Sequence, residues 1–300
     1  MDRWFAQRLV SEMRPGDHAC LAFATAEEQA RVVGAFVADG LSTNERVVYF
    51  DSARSSEIPG LHTHYGVDPR PYLTSGQLRL ISTRDTCMTG RSYDPRRMVA
   101  IANAEVLQAD RDGLRTVRFS GDLSWVLRAS GGPRTLLAGE NETDATIAPS
   151  TMAMMLCQYD QRQCTPEEIS RLRACHEVLV EANPVFKDGV LTISPTFQPY
   201  GLSVVGEIDP ARHTVFRDAL IKIAAFDSDI HLDLSRLEFI DLAGLRLLAT
   251  FGVRMRGGRH LVLDNAPSYL RDLMTLVGGQ RMLPGLVLGE SAVPTSGGSA

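Results

Sequence analysis

Lysine is nearly missing from this 300-residue chain: of 31 basic residues only Lys187 and Lys222 are lysines. Tryptophan is as scarce, at Trp4 and Trp125. No stretch approaches the roughly 18 consecutive apolar residues that a spanning helix needs. The opening MDRWFAQRLV also lacks the apolar core of a signal peptide, so the sequence predicts a cytoplasmic protein with no membrane partner. Excess positive charge is missing too. The formal net charge is −5, and dividing the chain after Lys187 leaves 21 basic against 24 acidic residues before and 10 against 12 after. Nucleic-acid binding rests on neutralising many phosphates, so neither part reads as a nucleic-acid binder. The shortage of lysine itself reflects base composition and carries no mechanism.

Several chemical signatures are also missing. After the apolar run HACLAF the chain reads ATAEEQ, with neither the glycines nor the lysine of a phosphate cradle. Glu27 and Glu28 would occupy the start of the following helix and repel an anion there. No GxSxG elbow supports a hydrolase. The five cysteines, Cys20, Cys87, Cys157, Cys164 and Cys175, are odd in number and irregularly spaced, which argues for reduced thiols rather than a disulfide framework. His18 with Cys20, His62 with His64, Cys157 with Cys164, and Cys175 with His176 all lack the CxxC or HExxH spacing of a metal site. Cys157, inside an apolar run, reads as a small buried hydrophobe. No metal is expected on spacing, and no cofactor is specified.

What is present is an alternation of short apolar runs with amphipathic stretches. HACLAF, EEQARVVGAFVADGL and ERVVYFD form a βαβ unit between Asp17 and Asp51. Further strands are predicted at Leu78, Thr116 and Met152, with a helix from Asp94 to Ala109 capped by Asp94 and begun by Pro95. This pattern predicts a parallel sheet covered on both faces. Asp51, Asp85, Asp122 and Asp160 all fall just past a predicted strand's carboxyl end, the edge where ligands bind in open parallel sheets. Their ordinary role is to cap helices and hold turns. His18 and Arg84 are added to the candidate pocket, although His18 precedes its strand, and Trp125 is a candidate pocket wall.

The segment PEEISRLRACHEVLVEAN reads as one helix, and the turn dipeptides at Asn183-Pro184 and Asp188-Gly189 mark a boundary. Beyond it, strand and helix segments to about residue 290 make a second domain, 188–290 after 1–187. The residues 291–300, SAVPTSGGSA, read as a disordered tail. Within the second domain DLSRLEFIDLAGL runs a strand straight into a helix, with Asp241 as its cap and Gly244 permitting close approach to its start.

The stretch Asp233-Leu234-Ser235, Phe239-Ile240-Asp241 and Gly244-Leu245 resembles the STAS domain of bacterial anti-sigma factor antagonists. The resemblance implies an anti-sigma factor or switch kinase as partner, with a phosphorylated serine directly before the glycine. Here that position is Ala243, preceded by Leu242, and no hydroxyl is available. Asp241, Leu242, Ala243 and Gly244 are the candidate partner-binding residues. The first domain resembles the MEDS sensory domain. The resemblance is carried by Gly16-Asp17-His18, Glu45 to Tyr49, Arg84-Asp85-Thr86 with Gly90-Arg91, Asp94 to Met98, Gly121 to Trp125, and Leu156 to Asp160. Asp122 stands where glutamate is expected. The resemblance implies an α/β fold with a RecA/KaiC-like parallel sheet lacking a P-loop, followed by the smaller STAS α/β domain, and a role in sensing small molecules. The expectation is a non-enzymatic signalling protein, with His18, Asp51, Arg84, Asp85, Asp122, Trp125 and Asp160 around its ligand and a homodimer among its possible assemblies. The rivals are a divergent nucleotide-binding NTPase or kinase using the strand-end aspartates, and a non-catalytic scaffold.

Overall fold

The structure, a computed structural model, describes residues 6–52, 57–90, 92–130, 132–224, 228–255, 257–276 and 285–289. The tail expected at 291–300, and Arg91 of the Gly90-Arg91 motif, lie outside the described residues. The chain divides into two compact units, Met1–Asn183 and Pro184–Ala300.

In the first unit the strands are β1 (Ala6–Leu9), β2 (His18–Phe23), β3 (Arg46–Asp51), β4 (Leu78–Ser82), a small hairpin of β5 (Met88–Thr89) and β6 (Ser92–Tyr93), β7 (Val117–Asp122), β8 (Ala153–Asp160) and β9 (Val178–Glu181). Between them run α1 (Ala26–Ser42), α2 (Arg70–Ser75), α3 (Thr83–Thr86), α4 (Pro95–Arg111), α5 (Gly132–Ile147) and α6 (Pro166–Ala174). Seven strands form one sheet in the order β1-β9-β2-β8-β7-β3-β4, and every pairing is parallel. Alternation along the strands divides the side chains between two layers, as the period of two requires. Leu21 and Phe23 of β2, Val47 and Tyr49 of β3, and Leu156 of β8 pack with Val33, Phe36 and Val37 of α1. Cys20, Val48, Phe50 and Cys157 face the other way and pack with Met98 of α4, Leu136 of α5 and Leu172 of α6. The expected parallel sheet with helices on both faces is what forms.

The expected cap of α4 forms as well, Asp94 accepting from Arg96 N at 3.2 Å. The head of α1 is capped by Thr25, which accepts from Glu28 N at 3.1 Å and which the sequence pattern had not singled out. One expectation is corrected. The single helix read over 166–183 stops at Ala174, and Val178–Glu181 is instead β9, hydrogen-bonded between β1 and β2. The β-branched Val178 and Val180 gain more by filling the sheet between two strands than by extending a helix.

In the second unit β10 (Phe186–Lys187), β11 (Leu191–Phe197) and β12 (Tyr200–Ile208) run antiparallel, and β12, β13 (Ile230–Ile240), β14 (Leu261–Asp264) and β15 (Leu286–Leu288) run parallel, all six in sequence order. This sheet starts at Phe186, two residues before Asp188. The helices are α7 (His213–Ile223), α8 (Leu242–Arg254) and α9 (Ser268–Leu276). Phe216 and Leu220 of α7, Leu245 and Leu248 of α8, and Leu270 and Met274 of α9 close the core over Val204, Leu232 and Leu263.

Candidate functional site

Three of the strand-end aspartates fall where the pattern places them. Asp51 closes β3, Asp122 closes β7 and Asp160 closes β8. Asp122 and Asp160 are brought together through Ser124. The Asp122 carboxylate accepts from Ser124 N at 2.9 Å and from its hydroxyl at 2.6 Å, and Asp160 N donates to the same hydroxyl oxygen at 2.6 Å. Burial pushes the Asp122 carboxyl up, and the Ser124 bonds offset this only in part. Burial acts in the same direction on Asp160, but the hydrogen bonds from Arg162 and Gln163 outweigh it and hold the carboxyl low. Both carboxylates therefore organise the turns that follow their strands. Trp125 packs edge-on to Tyr93, with ring centroids 5.9 Å apart, and its indole N–H is buried without a partner. Arg84 and Asp85 lie exposed on α3. A cavity of about 490 Å³ opens beside Ile58, Leu61, His62 and Leu80, and none of the seven predicted pocket residues lines it.

His18 does not join this edge, which corrects its place in the predicted pocket. It is the first residue of β2 and pairs in register with Met155, whereas Phe23 at the other end pairs with Asp160. A parallel strand carries its first and last residues to opposite edges of the sheet, so His18 lies at the amino end.

There His18 meets three residues from other elements. Its Nε2 is 3.1 Å from Glu140 Oε2 and 3.4 Å from Cys157 Sγ, and the Cys157 thiol also lies 3.4 Å from Glu140 Oε2. His176 Nε2 approaches Glu140 Oε2 to 3.3 Å but makes no hydrogen bond. Each residue is at most 2% exposed, so water does not compete for these atoms. The outer atoms are fixed in turn. His18 Nδ1 is 3.2 Å from Asp144 Oδ1, His176 Nδ1 is 2.8 Å from the Leu172 carbonyl oxygen, and the Tyr159 hydroxyl donates to Glu140 Oε1 at 2.6 Å. Glu140 and Asp144, one helical turn apart on α5, grip the two sides of one imidazole. Burial alone would lower the His18 pKa, but the bonds to Asp144 and Glu140 lift it to about 9. Burial alone would raise that of Glu140, yet His176 and His18 hold it well below the usual carboxylate range. Burial pushes the Cys157 thiol far up.

Local spacing had paired His18 with Cys20, Cys157 with Cys164, and His176 with Cys175. The structure pairs none of these as ligands; it joins His18, Cys157 and His176 around Glu140, which no motif had singled out. Cys157 and His18 are 139 positions apart, and only the register of β2 against β8 brings them together. His176 was hidden by the expectation of a continuous helix.

In the second unit Asp241 caps α8. Its Oδ1 accepts from Gly244 N at 2.7 Å and lies 2.8 Å from His213 Nε2. Leu242 is half exposed, Ala243 is exposed beside it, and Phe239 on the strand before is also exposed, while Gly244 is buried. A Cβ at Gly244 would stand 2.7 Å from Ile240 Cγ1 and 3.1 Å from Ile208 Cγ2, so glycine is what lets the helix start sit on the sheet. Between α7 and α8 a cavity of about 310 Å³ is lined by Leu220, Ile221, Leu247, Phe251 and Met255, with Arg217, Arg254 and Arg259 also on its wall.

Residues 17–177 match the family described as MEDS, the methanogen/methylotroph, DcmR sensory domain. The chain belongs to the MEDS family. Its match opens one residue before His18 and closes one after His176, enclosing all seven predicted pocket residues and the buried cluster. Residues 191–286 match the Mlab, STAS domain, which contains the capped start of α8. No curated protein matches the chain. Among solved structures, the MEDS protein is similar to the flagellar accessory protein FlaH from Methanocaldococcus jannaschii, at 11% identity over 62% of this chain and 80% of that one, with a TM-score of 0.38. It is also similar to a KaiC-like protein from Pyrococcus horikoshii OT3, at 11% identity over 60% of this chain and 79% of that one, with a TM-score of 0.41. Among the described residues no helix is long and apolar enough to cross a membrane. A sensory domain followed by a STAS domain gives the protein a signalling or regulatory role.

Proposed function

We propose that this protein is a cytoplasmic transcription regulator without catalysis of its own. Its MEDS unit responds to a small molecule or partner, and its STAS unit binds an anti-sigma factor or a related switch kinase. One observation carries the reading: a sensory-family unit precedes a STAS unit whose α8 start presents Leu242 and Ala243 to solvent beside Phe239. Ala243 offers no hydroxyl, so phosphorylation cannot break the complex at that position. Control falls to the MEDS unit, which shifts binding only if its ligand distinguishes two states of the protein.

The test is capture of partners from the native host by the full chain and by its Ala243→Glu variant. A carboxylate in the first turn of α8 favours the helix, so the variant keeps its fold while placing charge on the contact. The reading expects an anti-sigma factor or switch kinase bound by the wild type, with affinity for the variant lower by about tenfold or more. Equal affinity for both would remove the α8 start from the interface, and the absence of any such partner would remove the output role.

A further inference from the structure

We propose that His18, Glu140, Cys157 and His176 form a four-coordinate site for a zinc-class divalent ion. One ligand atom from each residue lies within 4.8 Å of all the others. A tetrahedral centre with metal–nitrogen bonds of about 2.0–2.1 Å and a metal–sulfur bond of about 2.3 Å puts its ligand atoms about 3.3–3.6 Å apart. The separations found are 3.1 Å for His18 to Glu140, 3.3 Å for His176 to Glu140, and 3.4 Å for Cys157 to each of His18 and Glu140. Four of the six edges of such a tetrahedron are thus within about 0.2 Å of the ideal range, and the other two, from His176 to His18 and to Cys157, are no longer than 4.8 Å.

The second, independent observation is His176. Its Nε2 is buried and turned into the cluster, 3.3 Å from Glu140 Oε2 but without hydrogen-bond geometry to any group, while its Nδ1 is fixed on the Leu172 carbonyl. A buried polar atom without a hydrogen bond is costly, and an ion at the centre gives this nitrogen the directed bond it lacks. The outer contacts follow the habits of metal ligands. Each imidazole is held through its far nitrogen, by Leu172 or by Asp144, and the carboxylate by Tyr159. Two imidazoles, one thiolate and one carboxylate suit zinc better than calcium or magnesium, which take oxygen ligands. On binding, the Cys157 thiol and the His18 imidazolium, through its Nε2, each release a proton to solvent, and the freed electron pairs of sulfur and nitrogen form the metal bonds. With all four positions filled by protein and closed to water, the centre is structural. It ties β2, α5 and β8 to the turn between α6 and β9.

The experiment uses the full chain, metal content by mass spectrometry, and cobalt(II) as a spectroscopic probe. The expected result is one zinc per chain after purification, with a lower melting temperature in a strong chelator. Cobalt should give the intense visible bands of a tetrahedral ion and a near-ultraviolet sulfur-to-cobalt band that Cys157→Ser removes. Asp144→Asn, which changes the partner of the outer nitrogen of His18 and leaves all four ligands in place, should weaken cobalt binding about 10–100-fold. If a variant fails to fold, the wild-type spectrum and chelator response still decide. A wild-type chain with no stoichiometric zinc, no tetrahedral cobalt spectrum and a melting temperature indifferent to chelator would overturn the site and leave an ion-free charge cluster.

Discussion

Replacing Asp241 tests whether the α8 start is held as the structure shows. Asp241→Ala removes the acceptor for Gly244 N at 2.7 Å and the partner of His213 at 2.8 Å. Loss of an N-cap costs typically about 1 kcal/mol. A part-exposed pair such as this one contributes about 0.5 kcal/mol. Together they make about 1.5 kcal/mol, which at about 4–8 °C per kcal/mol for a domain of this size lowers the melting temperature of the second unit by about 6–12 °C. Asp241→Asn keeps an equally good cap and loses only the charge, so it should cost about 2–4 °C. Calorimetry of the full chain reads both, the affected transition being the one that moves. Burial raises the Asp241 carboxyl, but the Gly244 N–H and His213 outweigh it and leave its pKa lowered. A carboxylate held low in the folded state stabilises above its unfolded pKa of about 3.9, and that stability disappears as pH falls through the folded value. The gap between wild type and Asp241→Asn should therefore close below about pH 4. Equal losses in the Asn and Ala variants at neutral pH would refute the assignment of the larger share to the cap.

Two further outcomes concern the first unit. Arg118 is buried, paired with Glu45 and with Asp39 at 2.7 Å, and bonded to the Phe36 carbonyl at 3.2 Å; Arg118→Met strands the Glu45 charge and should cost about 3–5 kcal/mol in urea unfolding, part of it regained by adding Glu45→Gln. Unfolding midpoints within error of wild type would show that the pair is dispensable. Gly60 has φ +73°, and a Cβ there would stand 1.9 Å from Ala30 O, so Gly60→Ala should lift the 57–69 segment from α1 and quicken its proteolysis. An unchanged cleavage rate would mean the segment does not depend on that close approach.

Much of the fold was legible because local rules and tertiary packing agree along most of the chain. The βαβ unit, the Asp94 cap with Pro95 and the Asp241 cap are all readable from a few consecutive residues. β9 was not, because VLVE follows a good helix without a strong break, and only the vacancy between β1 and β2 makes it a strand. The site was legible only in part. Strand-end aspartates announce the carboxyl edge, but whether they face a ligand or hold their own turns depends on Ser124, Arg162 and Gln163. The cluster at the opposite edge has no local signature, since its members come from separate elements and meet only through the strand order.

That strand order also governs when the first unit can assemble. β3, β4 and β7 are neighbours that emerge within one stretch of chain, but both partners of β2, and the partner of β1, are strands β8 and β9 from the far end of the unit. Two of the earliest strands must wait unpaired while more than a hundred residues are synthesised, and such long loop closures make folding slow. Because His18 opens β2 and His176 lies just before β9, their meeting marks the final closure of the sheet, and a chain released before residue 176 leaves the ribosome with its centre open.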